Sequence, residues 1–126
     1  MTIAEVSRKY DITPDTLRYY ERIGLLFDIP RNASGIRNYD EKACKRIEFV
    51  KCMRSAGVEI EILIEYMALL EKGKSTVKAR KQLLEEQRNK LIDKQNSIKE
   101  TLSRLDYKIE MYSEIIEGKR KDFTEK

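Results

Sequence analysis

Histidine and tryptophan are missing from this 126-residue sequence, and cysteine and proline occur only twice each. Without histidine, the side chain that most often moves protons near neutral pH is gone, and no serine or cysteine can be activated by an imidazole. Two thiols, Cys44 and Cys52, are too few ligands for a zinc site built by one chain, so neither a metal nor another cofactor is expected. The two cysteines lie on one predicted helix, about 80° apart around it and about 12 Å apart along it, beyond the reach of a disulfide within the chain. Of the five glycines, Gly24, Gly57, Gly73 and Gly118 fall where a helix should end and Gly35 falls in a turn. None is left for a phosphate-cradling loop. No apolar run approaches the roughly 20 residues of a membrane helix, and Met1 to Val6 has neither the charged start nor the apolar centre of a secretion signal. A cytoplasmic protein that is not an enzyme is the expectation.

What the sequence does contain is charge and helical periodicity. Charged residues make up 38% of the chain and hydrophobic ones 40%, enough for one modest core. The net charge of +4 is spread thinly: residues 1–58 carry 11 Lys and Arg against 8 Asp and Glu, and residues 76–126 carry 13 against 10. That balance, with a pI near 9.0, permits an acidic partner such as nucleic acid without requiring one.

Thr2 and Glu5 have the spacing of a capping box, and Ile3, Val6 and Tyr10 then recur as one face of a short helix ending near Asp11. A second helix is predicted after only about three residues, with Thr13 as its cap, Pro14 at its first position and Asp15 beside the positive end of its dipole, running to Gly24. On it Leu17 faces the same way as Tyr20 and Glu21, while Arg18 shares a face with Arg22. A short connection of this kind is what sets a recognition helix against its support in a helix-turn-helix. Leu25 to Phe27, the break at Pro30 and Asn32 to Gly35, and the return through Ile36 to Tyr39 read as a β-hairpin wing. Asp40 should cap a third helix over 41–55 with Ala43, Ile47 and Val50 inward. A fourth, over about 59–71, should bury Leu63, Met67 and Leu70.

The run Leu17-Arg18-Tyr19-Tyr20-Glu21, then Gly24-Leu25-Leu26, then Gly35-Ile36-Arg37-Asn38-Tyr39, resembles the DNA-binding signature of the MerR family of bacterial transcription regulators. The resemblance covers most of the chain and implies a mainly α fold: a winged helix-turn-helix over 1–73 with a small β-hairpin wing, then a long dimerisation helix forming an antiparallel coiled coil. Carried over position by position, it implies DNA contacts at Thr16, Arg18, Tyr19, Tyr20, Arg37 and Tyr39, with Lys51 and Arg54 in a second wing. Arg18 would read base edges in the major groove and the tyrosines and Arg37 would hold phosphates. For Tyr20 and Tyr39 the alternative is packing in the core, and for Lys51 and Arg54 it is a plain solvated charge. The resemblance further implies a homodimer on a near-palindromic promoter element, with RNA polymerase as the partner served and activation by distortion of the promoter spacer.

Within the family, Lys51 to Arg54 with Ala56 and Gly57 resembles most the short, thiol-bearing branch that answers to aldehydes and other electrophiles. On a helical wheel Cys52 falls about 180° from Ala43, off the core stripe. It is therefore either a sensor for a small electrophilic inducer or an interface residue filling a gap beside a partner's helix. Cys44 is the more structural of the two.

From Ser75 to Gly118 there is neither proline nor internal glycine. Val77, Leu84, Leu91, Ile98, Leu105 and Tyr112 recur every seven residues, which places Lys81, Arg88, Gln95, Leu102, Ile109 and Ile116 at the other seam position. The seam is half polar in its first heptads and apolar in its last three. One helix cannot bury such a stripe, so Leu84, Leu91, Ile98, Leu102, Leu105, Ile109 and Tyr112 are assigned to dimerisation over 75–118, with residues 119–126 as a flexible tail. The rival reading from another class is a coiled-coil adaptor that never touches DNA; salt-dependent binding to duplex DNA separates the two.

Overall fold

A computed structural model describes residues 1–120, and within them each helix forms close to where its capping residues place it. Helix α1 spans Ile3–Tyr10; the Thr2 hydroxyl accepts from the Glu5 amide at 3.2 Å and the Glu5 carboxylate accepts from the Thr2 amide at 3.0 Å, so the capping box closes in both directions. Helix α2 spans Pro14–Arg22, capped by Thr13. It stops short of the predicted Gly24, because the amides of Leu25 and Leu26 both turn back onto the Tyr20 carbonyl and carry two leucines into the interior. Helix α3 spans Glu41–Ser55 as predicted, with the Asp40 carboxylate accepting from the Ala43 amide at 2.8 Å. Helix α4 spans Ile60–Lys72, and α5 spans Val77–Ile116, 40 residues or about 60 Å.

The wing is less regular than a hairpin of two strands. Among the described residues it has one antiparallel bridge, Arg31 opposite Arg37, flanked by hydrogen bonds from the Asn32 amide to the Ile36 carbonyl and from the Asn38 amide to the Pro30 carbonyl. The ladder extends no further for reasons of local chemistry. Pro30 has no N–H to donate, and Asp28, at φ 53°, breaks the extended run before it. The turn is tied instead by the Asn32 side chain, whose oxygen accepts from the amides of Ser34 and Ile36.

Val6, Tyr10, Leu17, Leu26, Tyr39, Ala43 and Ile47 form one buried cluster, with Ile3, Ile12, Tyr20, Ile29 and Cys44 packed on its edge. The first three helices and the return of the wing thus share a core. Val50, Leu63 and Met67 are also buried, as predicted for α3 and α4, while Leu70, expected in the α4 stripe, is only half-buried.

Between α4 and α5 the chain turns at Gly73, whose φ of 88° and ψ of −151° lie in a region open essentially only to glycine. A single 3-10 turn, Lys74–Thr76, follows. The buried Thr76 hydroxyl is shared between the carbonyls of Leu69 at 2.6 Å and Gly73 at 2.8 Å, and Arg80 donates to that hydroxyl at 3.0 Å and to the Gly73 carbonyl at 3.2 Å. The chain divides into two compact units, one ending at Gln87 and the other beginning at Arg88. The packing boundary therefore falls inside α5 rather than at the Gly73 turn.

Along α5 the predicted apolar seam residues stand open in the single chain, from 40% exposed at Leu84 to 85% at Ile116, with Leu91 half-buried. Of the tail expected to be flexible, Lys119 and Arg120 turn back onto the Glu114 carbonyl and pair with Glu117 and Glu114. Residues 121–126 lie outside the described part.

Two predictions follow from the core. Tyr39 is 2% exposed and its hydroxyl has no partner among the described residues, so Tyr39→Phe should change stability by less than about 1 kcal/mol, whereas Leu17→Ala should cost about 2–5 kcal/mol in urea denaturation. Burial raises the pKa of both Tyr10 and Tyr39, and for Tyr10 the hydrogen bond to Glu48 adds to the effect. The unfolded chain loses these phenolic protons above about pH 10 while the native chain keeps them. Their contribution is complete below that pH and falls as pH rises through it, and Tyr10→Phe should flatten the decline in urea midpoint between about pH 9 and 11.

Candidate nucleic-acid interface

The exposed side of α2 is set by a cap and a single anchor. The Thr13 hydroxyl accepts from the Thr16 amide at 3.1 Å and lies 2.8 Å from the Thr16 hydroxyl, so Thr16 sits in the first turn as part of the cap. Leu17, fully buried, fixes the rotation of the helix. With Leu17 inward, Arg18 and Tyr19 turn outward; Arg18 donates to Asp15 at 3.0 Å and Tyr19 is 43% exposed. The Arg22 guanidinium lies 5.3 Å from the Tyr19 ring centre, which joins an aromatic face to a cation on the same surface. Tyr20 takes the mixed position between them, its ring 6.3 Å from that of Tyr19 and its other side against the core.

Glu21, one helical turn after Leu17, joins this helix to the wing. Its two oxygens accept from Arg37 Nε at 3.1 Å and Arg37 Nη2 at 3.4 Å, and the second oxygen also accepts from Arg31 Nη2 at 3.4 Å. Arg31 in turn holds the wing tip through the Gly35 carbonyl at 3.2 Å. The hydrogen bond to Glu21 raises the pKa of Arg37, a guanidinium that is cationic in any case. Arg18, Glu21, Arg31 and Arg37 all lie within electrostatic reach of the Tyr39 ring. The helix and the wing thus present one basic, aromatic face. Sequence reasoning missed Arg31 and the role of Glu21; the signal available was an acid at the end of a helix followed by two arginines placed symmetrically about a turn.

Several predicted contacts are placed elsewhere. Tyr39 is corrected from phosphate contact to core residue, because its ring and hydroxyl are both enclosed. Lys51 donates to the Tyr10 carbonyl, where its charge complements the negative end of α1. Arg54 donates to the Val58 carbonyl at 3.0 Å and closes the turn after α3. Both residues are exposed, each with one backbone carbonyl as partner. Cys52 is exposed, while Cys44 is half-buried with its sulfur 3.9 Å from that of Met1. Among the described residues no group of three or more Cys, Asp or Glu side chains is placed to hold a metal ion, and no helix is long and apolar enough to cross a membrane.

Comparison with known proteins agrees with this geometry. Residues 1–70 match the profile of the MerR HTH family regulatory proteins. The chain is 53% identical over 93 residues to the HTH-type transcriptional regulator AdhR of Bacillus subtilis, an alignment covering 74% of this chain and 66% of that protein, just under two thirds of its length. Among solved structures, a MerR family transcriptional regulator from Listeria monocytogenes superposes with a TM-score of 0.86 at 44% identity, covering 90% of this chain and 86% of that one. HiNmlR, a MerR family regulator lacking the sensor domain and bound to promoter DNA, superposes with a TM-score of 0.81 at 26% identity, covering 90% of both chains. A match running through more than half of the sequence, over the residues that the fold gathers into one basic face, makes this chain a member of the MerR family of helix-turn-helix regulators.

Proposed function

We propose that the protein is a dimeric transcription regulator that binds a near-palindromic promoter element and activates by distorting the spacer read by RNA polymerase. The observation that carries this reading is the joint surface of α2 and the wing, where Arg18 and Tyr19 project from a helix anchored by Leu17 beside the arginines held by Glu21. Its likeness to a family member solved on promoter DNA supports the same use of the surface. Arg18 reads base edges through its planar fork, exchanging its exposed bond to Asp15 for acceptors on a base. Tyr19, Tyr20 and Arg37 position the protein on phosphates. Dimerisation rests on the seam of α5, where apolar residues stand exposed at seven-residue spacing with nothing among the described residues to cover them.

The same reading extends to the signal. Cys52 is exposed on α3, away from the buried stripe of Ala43, Ile47 and Val50. Addition of an electrophile to its sulfur switches transcription if the adduct favours one DNA geometry over the other, since equal preference would shift nothing.

Three outcomes are expected. Arg18→Ala loses about 1–3 kcal/mol on the selected site and relaxes its preference at the bases it reads, whereas Arg37→Ala weakens binding without changing which base is preferred at any position; equal losses for Arg18→Ala on selected and random DNA would count against base reading. Leu105→Lys puts a charge into a seam that must be dry, so sedimentation should find monomers at micromolar concentration and operator binding should fail with them. Cys52→Ser keeps operator binding but no longer raises transcription when an aldehyde is added to a purified system, while Cys44→Ser responds as wild type.

A further inference from the structure

Resting on the reading of α2 and the wing as a DNA surface, we infer that Glu21 is a specificity-determining residue of that surface, a carboxylate that withholds the two wing arginines from indiscriminate phosphate binding and fixes where they stand. An acidic side chain in a face meant for a polyanion is out of place by charge alone, since it repels the backbone it approaches. Its geometry accounts for its presence. Glu21 is only 23% exposed, engages the Nε and Nη2 edge of Arg37 in a two-pronged contact, and shares its second oxygen with Arg31. Arg31 and Arg37 are the bridge pair of the wing. One carboxylate therefore pins both arms of a ladder that has a single bridge and little regular hydrogen bonding of its own.

Two arginines so held differ from two on a loose loop. A guanidinium on a mobile loop reaches any phosphate and releases counterions on any sequence, which raises affinity without discrimination. A guanidinium tied by two nitrogens to a fixed carboxylate meets a phosphate only where the duplex brings one to it, so it rewards DNA of the right shape. Glu21 lowers affinity for duplexes in general and makes the remainder depend on groove geometry.

The test compares the full chain as wild type, Glu21→Gln, and Glu21→Gln combined with Arg31→Gln and Arg37→Gln. Binding is followed by fluorescence anisotropy over a series of salt concentrations. The probes are a duplex selected by the wild-type protein from a random pool and a scrambled duplex of equal length. Glu21→Gln should bind the scrambled duplex about tenfold more tightly at low salt, steepen the log K against log salt slope by roughly 1–2, and lower the ratio of selected to scrambled affinity. The triple variant should remove the extra slope. Amide exchange without DNA gives a second readout: protection of Asn32, Gly35 and Asn38, whose amides hold the wing, should fall in Glu21→Gln while that of the α3 amides does not. An unchanged slope and ratio, or an equal loss on both duplexes from a variant that keeps its α3 protection, overturns the inference. If the wild type binds no duplex in a salt-dependent way, the DNA reading itself has failed. The hold on the wing is then decided by exchange alone: lost protection sustains it and unchanged protection refutes it.

Discussion

The burial of Leu17 is the constraint on which the proposed DNA surface depends. A nine-residue helix has no stability of its own in water, so α2 exists because one of its residues is enclosed by Val6, Tyr10, Leu26, Tyr39 and Ile47. That enclosure also fixes its rotation. At about 100° per residue, Arg18 must stand to one side, Arg22 near it one turn later, and Glu21 almost above Leu17 itself. Glu21 is half-buried and within reach of the wing for the same reason that Leu17 is in the core. A single apolar contact thus decides both which cations face outward and which acid is left to hold the wing.

The parts of this arrangement that could be read from the sequence are those decided within one turn of chain. Thr2, Thr13 and Asp40 cap their helices because a side-chain oxygen and an amide three residues on need nothing else to meet. The inward stripes of α1, α3 and α4 followed equally directly from periodicity. Tyr39 could not be placed in that way. Whether a tyrosine that follows an arginine and an asparagine lies on a phosphate or in a core depends on residues from α1, α2 and α3 that close over it, and no local pattern encodes that closure. The wing failed as a regular hairpin for a similar reason. Proline and a left-handed Asp28 removed ladder positions, and long-range bonds from Glu21 and the side chain of Asn32 took over the work of the missing ones.

The modest net charge of +4 also reads differently once the side chains are placed. Several of the cations are paired at short range, Arg18 with Asp15, Lys45 with Glu41 and Lys81 with Glu85, and Glu21 offsets one of the two wing charges. Exposed pairs of this kind contribute little to stability. They keep the long-range field weak, so that recognition has to come from contact geometry more than from attraction at a distance.

The corner between α4 and α5 has a mechanical meaning. Gly73 alone would be a universal joint, free to swing because glycine tolerates so many backbone angles. Thr76 and Arg80 take that freedom away, lacing the last turn of α4 to the first turn of α5 through one hydroxyl and two carbonyls. The joint therefore has almost no backlash. A twist applied to the first turn of α5 arrives at the last turn of α4 as torque rather than being absorbed as slack.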